Sequence, residues 1–311
     1  MISPVEYLES YRDITVADPT TGNDIATGIS VGNYLLGLKD AQTNARVALL
    51  RKIQKDLAAG KAADADYKIR VTVNTSRGWE NAEFDTISSS VKDDPLWMLV
   101  RFPFAGKGSP EGIQAALQLA ATDGPGGRAI VQPDRLQEYC DDLLGVDCNG
   151  FVGSYIRNEM QSADWRDLSD TSATRPDNLI SSIWNDTPGT MMRSASDIDP
   201  ERTNLLVLVD DSGNVIPGGK TPHGHIMISQ PGEYTTTLWA KTNLGSAKGT
   251  EVPAICVTES TGAKKADGTN GLSRSWYHYI DHPQLKSKGV LLVDRGVNGS
   301  TMKVKVKALD Q

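Results

Sequence analysis

The 311-residue chain has little of what several protein classes require. Its 32 Lys and Arg are outnumbered by 39 Asp and Glu, giving a net charge of −7, whereas a nucleic-acid binder needs a basic face. No apolar run approaches the ~18 residues of a membrane-spanning helix, so no span is expected. The start, Met1-Ile2-Ser3-Pro4-Val5-Glu6-Tyr7-Leu8, has neither the basic n-region nor the apolar core of a Sec-type signal peptide. The expectation is an intracellular role, a signal already trimmed away, or export by another route. There are three cysteines, Cys140, Cys148 and Cys256, too few and too odd a number for a disulfide framework. Aromatic residues make up 6% and Gly numbers 29, which points to long loops. No internal repeat is evident. The first 125 residues hold no His and no Cys, so they cannot supply a thiol nucleophile or an imidazole base.

What is present centres on Gly145-Val146-Asp147-Cys148-Asn149-Gly150-Phe151-Val152-Gly153-Ser154-Tyr155-Ile156. Phe151, Val152, Tyr155 and Ile156 fall at helical spacing. Asp147 stands where an N-cap belongs, which puts Cys148 in the first turn. A thiol there feels free N–H groups and the positive end of the helix dipole, the setting that favours thiolate. A lone cysteine is more often a small buried hydrophobe, and that is the expectation for the other two. Cys140 shares an apolar helical face with Leu136, Tyr139, Leu143 and Leu144. Cys256 faces away from Glu259 on its strand. A Cys140–Cys148 disulfide stays open, but it would consume the nucleophile.

Downstream, His223-Gly224-His225-Ile226-Met227-Ile228-Ser229 reads as a strand bearing histidine, and Val252-Pro253-Ala254-Ile255-Cys256-Val257-Thr258-Glu259-Ser260 as a second strand ending in a carboxylate. Cysteine, then histidine, then a polar residue on a later strand is the order of a nucleophile, a base and an orienter. His223 is the alternative base, and Thr237 the alternative orienter. His-x-His with Cys148 could also offer three zinc ligands, but no Cys-x-x-Cys or His-Glu-x-x-His spacing supports a metal. No metal or cofactor is expected. His278 and His282 read as surface, and Asp210-Asp211-Ser212-Gly213-Asn214 as a turn without the rest of a calcium loop.

Asp-Cys-Asn-Gly-Phe-Val resembles the Asp-Cys-Ser-Gly-Phe-Val signature of NlpC-type cell-wall cysteine peptidases, with Asn149 in place of serine. Gly224 to Ile228 resembles their histidine strand, and Val257-Thr258-Glu259-Ser260 the strand that follows it. The likeness covers roughly Gln132 to the C-terminus. One departure concerns the Tyr and Gly-Gly pair that many members carry a dozen or so residues before the cysteine. Here the nearest upstream tyrosine is Tyr139, and Gly126-Gly127 lies further back. The resemblance implies a permuted papain-like fold, with catalytic Cys148, His225 and Glu259. It implies hydrolysis of an amide in peptidoglycan stem peptides through a thioester. Two rivals remain open. One is a secreted toxin-like deamidase, transglutaminase or acyltransferase, which could have a protein partner or inhibitor. The other is a non-catalytic binding module.

Taken along the chain, helices are expected around Val5–Tyr11, over Lys39–Ala59, Pro110–Ala121 and Pro133–Leu144, and around Asp177–Trp184. Strands are expected at Tyr67–Val73, Leu96–Phe102, Leu205–Val209, within Glu233–Asn243, at Val290–Val293 and at Met302–Lys307. Residues 58–65 read as a linker and 162–199 as mostly irregular. Helices first and antiparallel strands after is an α+β order. The expected division is residues 1–125, an N-terminal helical and β region, and 126–311, the cysteine hydrolase domain.

Overall fold

The computed structural model describes residues 2–18, 21–37, 39–58, 69–75, 78–84, 99–123, 128–160, 179–218, 223–238, 244, 251–262, 270–294 and 301–310. Residues 59–65 of the expected linker, the boundary stretch 124–127 and residues 162–178 of the segment expected to be irregular lie outside these residues. In chain order the helices are α1 (Pro4–Glu9), α2 (Asp40–Ala58), α3 (Pro110–Asp123), α4 (Pro133–Leu143), α5 (Cys148–Tyr155) and α6 (Ile180–Asp186). The strands are β1 (Ile14–Ala17), β2 (Asp24–Ile29), β3 (Ile69–Thr75), β4 (Gly78–Phe84), β5 (Gly189–Met191), β6 (Asn204–Leu208), β7 (Ile226–Leu238), β8 (Glu251–Thr261), β9 (Gly271–Asp281), β10 (Leu291–Asp294) and β11 (Thr301–Leu309). The fold is α+β with antiparallel sheets.

The strands β6 to β11 close on themselves. Their order runs β10-β9-β8-β7-β6-β11, and β10 pairs again with β11, which makes a six-stranded barrel with β5 added beside β11. β11 manages this by splitting one edge. Thr301–Val304 pairs with β10, while its far end, Lys307–Leu309, pairs with β5. Alternation along the strands sorts side chains to two sides of the wall. Leu206, Met227, Ile255, Val257, Tyr277, Leu291, Val304 and Val306 form one cluster, the barrel interior. Leu205, Val207, Ile226 and Ile228 join the other, larger cluster outside it.

That larger core is where the helices pack. It takes in Tyr7, Leu8 and Tyr11 from the chain start, Val16, Ala26 and Ile29 from the β1–β2 hairpin, and Ile113 and Leu117 of α3. Leu136 and Cys140 of α4, Phe151 and Tyr155 of α5, and Ile183 of α6 complete it. One continuous core therefore runs through residues on both sides of position 125. Tyr7 sits at the seam. Its ring lies 5.6 Å from Tyr11, 5.8 Å from Phe151 and 5.5 Å from Tyr155, and such aromatic pairs contribute ~0.5–1.5 kcal/mol each beyond the area they bury. α1 is set for this by Ser3, which caps the helix and exchanges a capping box with Glu6.

Two expectations are corrected. Residues 99–101 are helical, not part of a strand; an unbroken apolar run such as Leu96–Phe102 fits a buried helical turn as well as a strand, and Pro103 follows it. His278 is not at the surface. It is in β9, 2% exposed, because Ala254 opposite it draws that stretch into a central strand of the barrel. Among the described residues no helix is long and apolar enough to cross a membrane.

Candidate active site

Cys148 opens α5, as its spacing after Asp147 requires. The Asp147 backbone is extended, and its carboxylate accepts from the Gly150 N–H at 2.8 Å. A cap of this kind contributes ~1 kcal/mol. The other carboxylate oxygen pairs with the Lys107 ammonium. Burial pushes the Asp147 carboxyl up, while Lys107, the Gly150 N–H and His225 oppose it. The first turn of α5 lies close on the loop carrying Lys107. A methyl group at Gly150 would fall 2.4 Å from the Gly106 carbonyl oxygen.

The segment leading into the cysteine is tied on every side. Gly145 N–H donates to the Pro103 carbonyl at 3.2 Å, Val146 N–H to Asn33 at 3.2 Å, and Asp147 N–H to Gly106 at 2.7 Å. The Ser260 hydroxyl donates to the Val146 carbonyl at 2.6 Å. Ser260 follows Glu259 on β8, so this last bond locks the cysteine loop to the strand that carries the carboxylate.

The barrel supplies the rest. His225 immediately precedes β7, and its carbonyl accepts from Leu208 N–H at 3.0 Å. Its Nε2 is hydrogen-bonded to Glu259 Oε2, which leaves Nδ1 for the Cys148 sulfur. Glu259 Oε1 in turn accepts from the Tyr277 hydroxyl. His225 is 8% and Glu259 1% exposed. Burial by itself pulls the imidazole down. The Cys148 sulfur and the Glu259 carboxylate, both bonded to it, outweigh that and push it up to about 10. The imidazolium is therefore the favoured form at neutral pH, and a cation between a sulfur and a carboxylate is the charge arrangement of an activated thiol.

The structure thus brings Cys148, His225 and Glu259 together. Thr237 lies near the other end of β7, paired with Val252, away from His225. His223 is exposed and lines the cleft mouth. The other thiols stay in the core. Burial pushes Cys140 up to about 12 and Cys256 to about 11. Cys140 donates to the Ser30 carbonyl at 3.9 Å, and Cys256 accepts from Arg274 Nε at 3.1 Å. All three cysteines are free. Asp210 accepts from the Ser212 and Asn214 N–H groups at 2.8 Å, which is turn chemistry.

No family model, curated protein or solved structure matches this chain.

Two site residues escaped the sequence reading. Tyr277, on β9, anchors Glu259. Tyr34, from the first 125 residues, has its hydroxyl hydrogen-bonded to the Cys148 sulfur; burial first, then Cys148 and Asp147, push its pKa well up, so it remains a donor. Tyr34 is placed by the same Asn33–Val146 bond that holds the cysteine loop and by its own N–H, which donates to Asn270 Oδ1 at 3.3 Å. Gly106, at φ +74, permits this approach, since a Cβ there would collide with the Leu35 carbonyl. No local pattern announces Tyr34. The only available signal was the absence of the expected tyrosine just ahead of Cys148. Above the sulfur opens a cleft of about 560 Å³, lined among others by Tyr34, Leu36, Arg46, Arg101, Lys107 and Leu179, within the size range of small-molecule and peptide sites.

Proposed function

We propose that this protein is a cysteine amidase of the NlpC type, with a permuted papain-like arrangement of a cysteine helix against a β-barrel, and that it hydrolyses an amide in peptidoglycan stem peptides. The observation that carries the reading is the bonded chain Cys148–His225–Glu259–Tyr277 ending at the floor of an open cleft. The thiolate of Cys148 attacks the carbonyl carbon. The oxyanion that forms is met by the Cys148 backbone N–H at the positive end of α5 and by the Tyr34 hydroxyl. His225 gives its proton to the leaving amine nitrogen, the C–N bond breaks, and a thioester remains. Water then attacks the thioester while His225 takes its proton, and the thiolate leaves. Glu259 holds the imidazole orientation throughout and stabilises its charge.

The choice of peptidoglycan rests on the resemblance of the cysteine hexapeptide and the histidine strand. Mass spectrometry of purified peptidoglycan incubated with the protein tests it. The expected result is stem peptides cut at one amide with gain of one water, absent with Cys148→Ala. A product in which a second amine replaces the leaving one would make the protein an acyltransferase on the same residues. Failure of any thiol-directed reagent to label Cys148 ahead of Cys140 and Cys256 would leave only a binding module.

A further inference from the structure

The cap of α5 places a carboxylate where the chemistry is least served by one. Asp147 is 1% exposed and directly precedes the nucleophile. His225 and Tyr34, the two groups bonded to the Cys148 sulfur, both feel its charge. A buried carboxylate beside a sulfur opposes the thiolate, as like charges do. An Asn at this position would cap the helix about as well and carry no charge.

Lys107 meets that charge. Its ammonium pairs with Asp147 Oδ2, while Oδ1 takes the Gly150 N–H. The lysine side chain lines the cleft but is only 15% exposed; its charge is turned inward onto Asp147. The backbone around it is fixed to that end. Lys107 N–H donates to the Phe102 carbonyl at 2.9 Å, and Lys107 bridges Val146 in antiparallel fashion. On the following residue the Gly108 carbonyl accepts from the Tyr11 hydroxyl at 3.0 Å, and Ser109 then caps α3 through the Gly112 N–H at 3.2 Å. Burying an ordered lysine costs side-chain entropy, and a helix cap alone does not require it.

The groups that face Asp147 are Lys107 from the loop before α3, Tyr11 from the turn after α1, Tyr34 from the segment after β2, Cys148 on α5 and His225 before β7. His225 is already shared between Cys148 and Glu259. Lys107 is therefore the cation that balances Asp147. Without it, one imidazolium would face two carboxylates and a thiolate. We propose that Lys107 is a positioning residue of the active site, which cancels the Asp147 charge so that the cap of α5 is kept without opposing the thiolate–imidazolium pair. The proposal rests on the reading of Cys148 as the nucleophile, and thiol reactivity tests it without any amide substrate.

The measurement is the rate of Cys148 alkylation by neutral iodoacetamide against pH, with adducts on Cys140 and Cys256 separated by peptide mapping. The thiolate displaces iodide and a thioether forms. In Lys107→Met the uncompensated carboxylate is expected to move the rising limb of the profile up by about one pH unit, so that alkylation on that limb slows about tenfold. In Asp147→Asn the uncompensated ammonium is expected to move the limb down. The two substitutions together should bring it back toward its original position, and Lys107→Arg should restore most of the shift seen with methionine. A purely structural role for the pair would slow alkylation in both single variants and further in the double. If one single variant fails to fold, the direction of the shift in the other still decides. A limb unmoved in the single variants, moved the same way in both, or not restored in the double variant overturns the proposal. If the profiles behave as expected and no amide is cut, the role of Lys107 stands and the amidase reading falls.

Discussion

Replacing Glu259 by Gln tests the electrostatics of the site at one atom. The side chain keeps its shape and an oxygen to accept from the imidazole, and loses its charge. His225 is raised from 6.5 to about 10, which corresponds to roughly 5 kcal/mol of preference for the imidazolium, shared between Cys148 and Glu259. A hydrogen bond to a charged partner exceeds a neutral one by ~1–2 kcal/mol, so the variant should lower the imidazole by about one unit. The assay is the pH dependence of Cys148 alkylation by neutral iodoacetamide, with the imidazole followed by NMR. The alkaline limit of the ion pair should move down from near 10 by about one unit, and turnover should fall at least about tenfold. Stability follows the same sign. A histidine raised in the folded state contributes fully below its unfolded pKa of about 6.5 and loses that contribution as pH rises through about 10. The melting-temperature gap between the unaltered protein and Glu259→Gln should therefore close across that window. An imidazole that titrates at the same pH in both proteins would refute the pairing as the source of its shift.

Three further outcomes are expected. Cys148→Ala should abolish amide cleavage while Cys140→Ala and Cys256→Ala retain it in folded protein, because the latter two thiols are held high by burial; equal loss in all three would refute the assignment. Tyr34→Phe should lower kcat by about ten- to a hundredfold with little change in KM, as removal of a donor to the developing oxyanion does; a change confined to KM would make Tyr34 a wall of the groove only. Gly150→Ala should misplace the cysteine turn, since its Cβ would lie 2.4 Å from a backbone oxygen, and should cost ~1–3 kcal/mol in urea unfolding; an unchanged unfolding midpoint would show that the loop at Gly106 yields freely.

The parts of the site legible in the sequence are those fixed by local chemistry. Asp147 followed by a helical apolar pattern announced the helix start and the position of the thiol, and the alternation after His225 and before Glu259 announced two strands. The helices α2, α3 and α4 were legible from their apolar stripes and from Pro at the first turn of the latter two. What was not legible depends on distant pairing. β9 reads Gly271-Leu272-Ser273-Arg274-Ser275-Trp276-Tyr277-His278-Tyr279-Ile280-Asp281 with an irregular burial pattern, because its neighbours on both sides decide which residues are covered. The closure of β10 onto β11 is likewise set by register, not by composition. Tyr34 reaches Cys148 because its segment is held at both ends of a long sequence separation, by the Asn33 carbonyl accepting from Val146 N–H and by its own N–H donating to the Asn270 side-chain oxygen.

The central claim is that Cys148 carries the acyl group. It is tested most directly by mixing the protein with peptidoglycan stem peptides, quenching in acid during turnover, and mapping the mass of each cysteine-bearing fragment. An acyl adduct is expected on the fragment containing Cys148, released by neutral hydroxylamine and absent in Cys148→Ala. Amide cleavage with no adduct on Cys148, or with the adduct on Cys140 or Cys256, would contradict it.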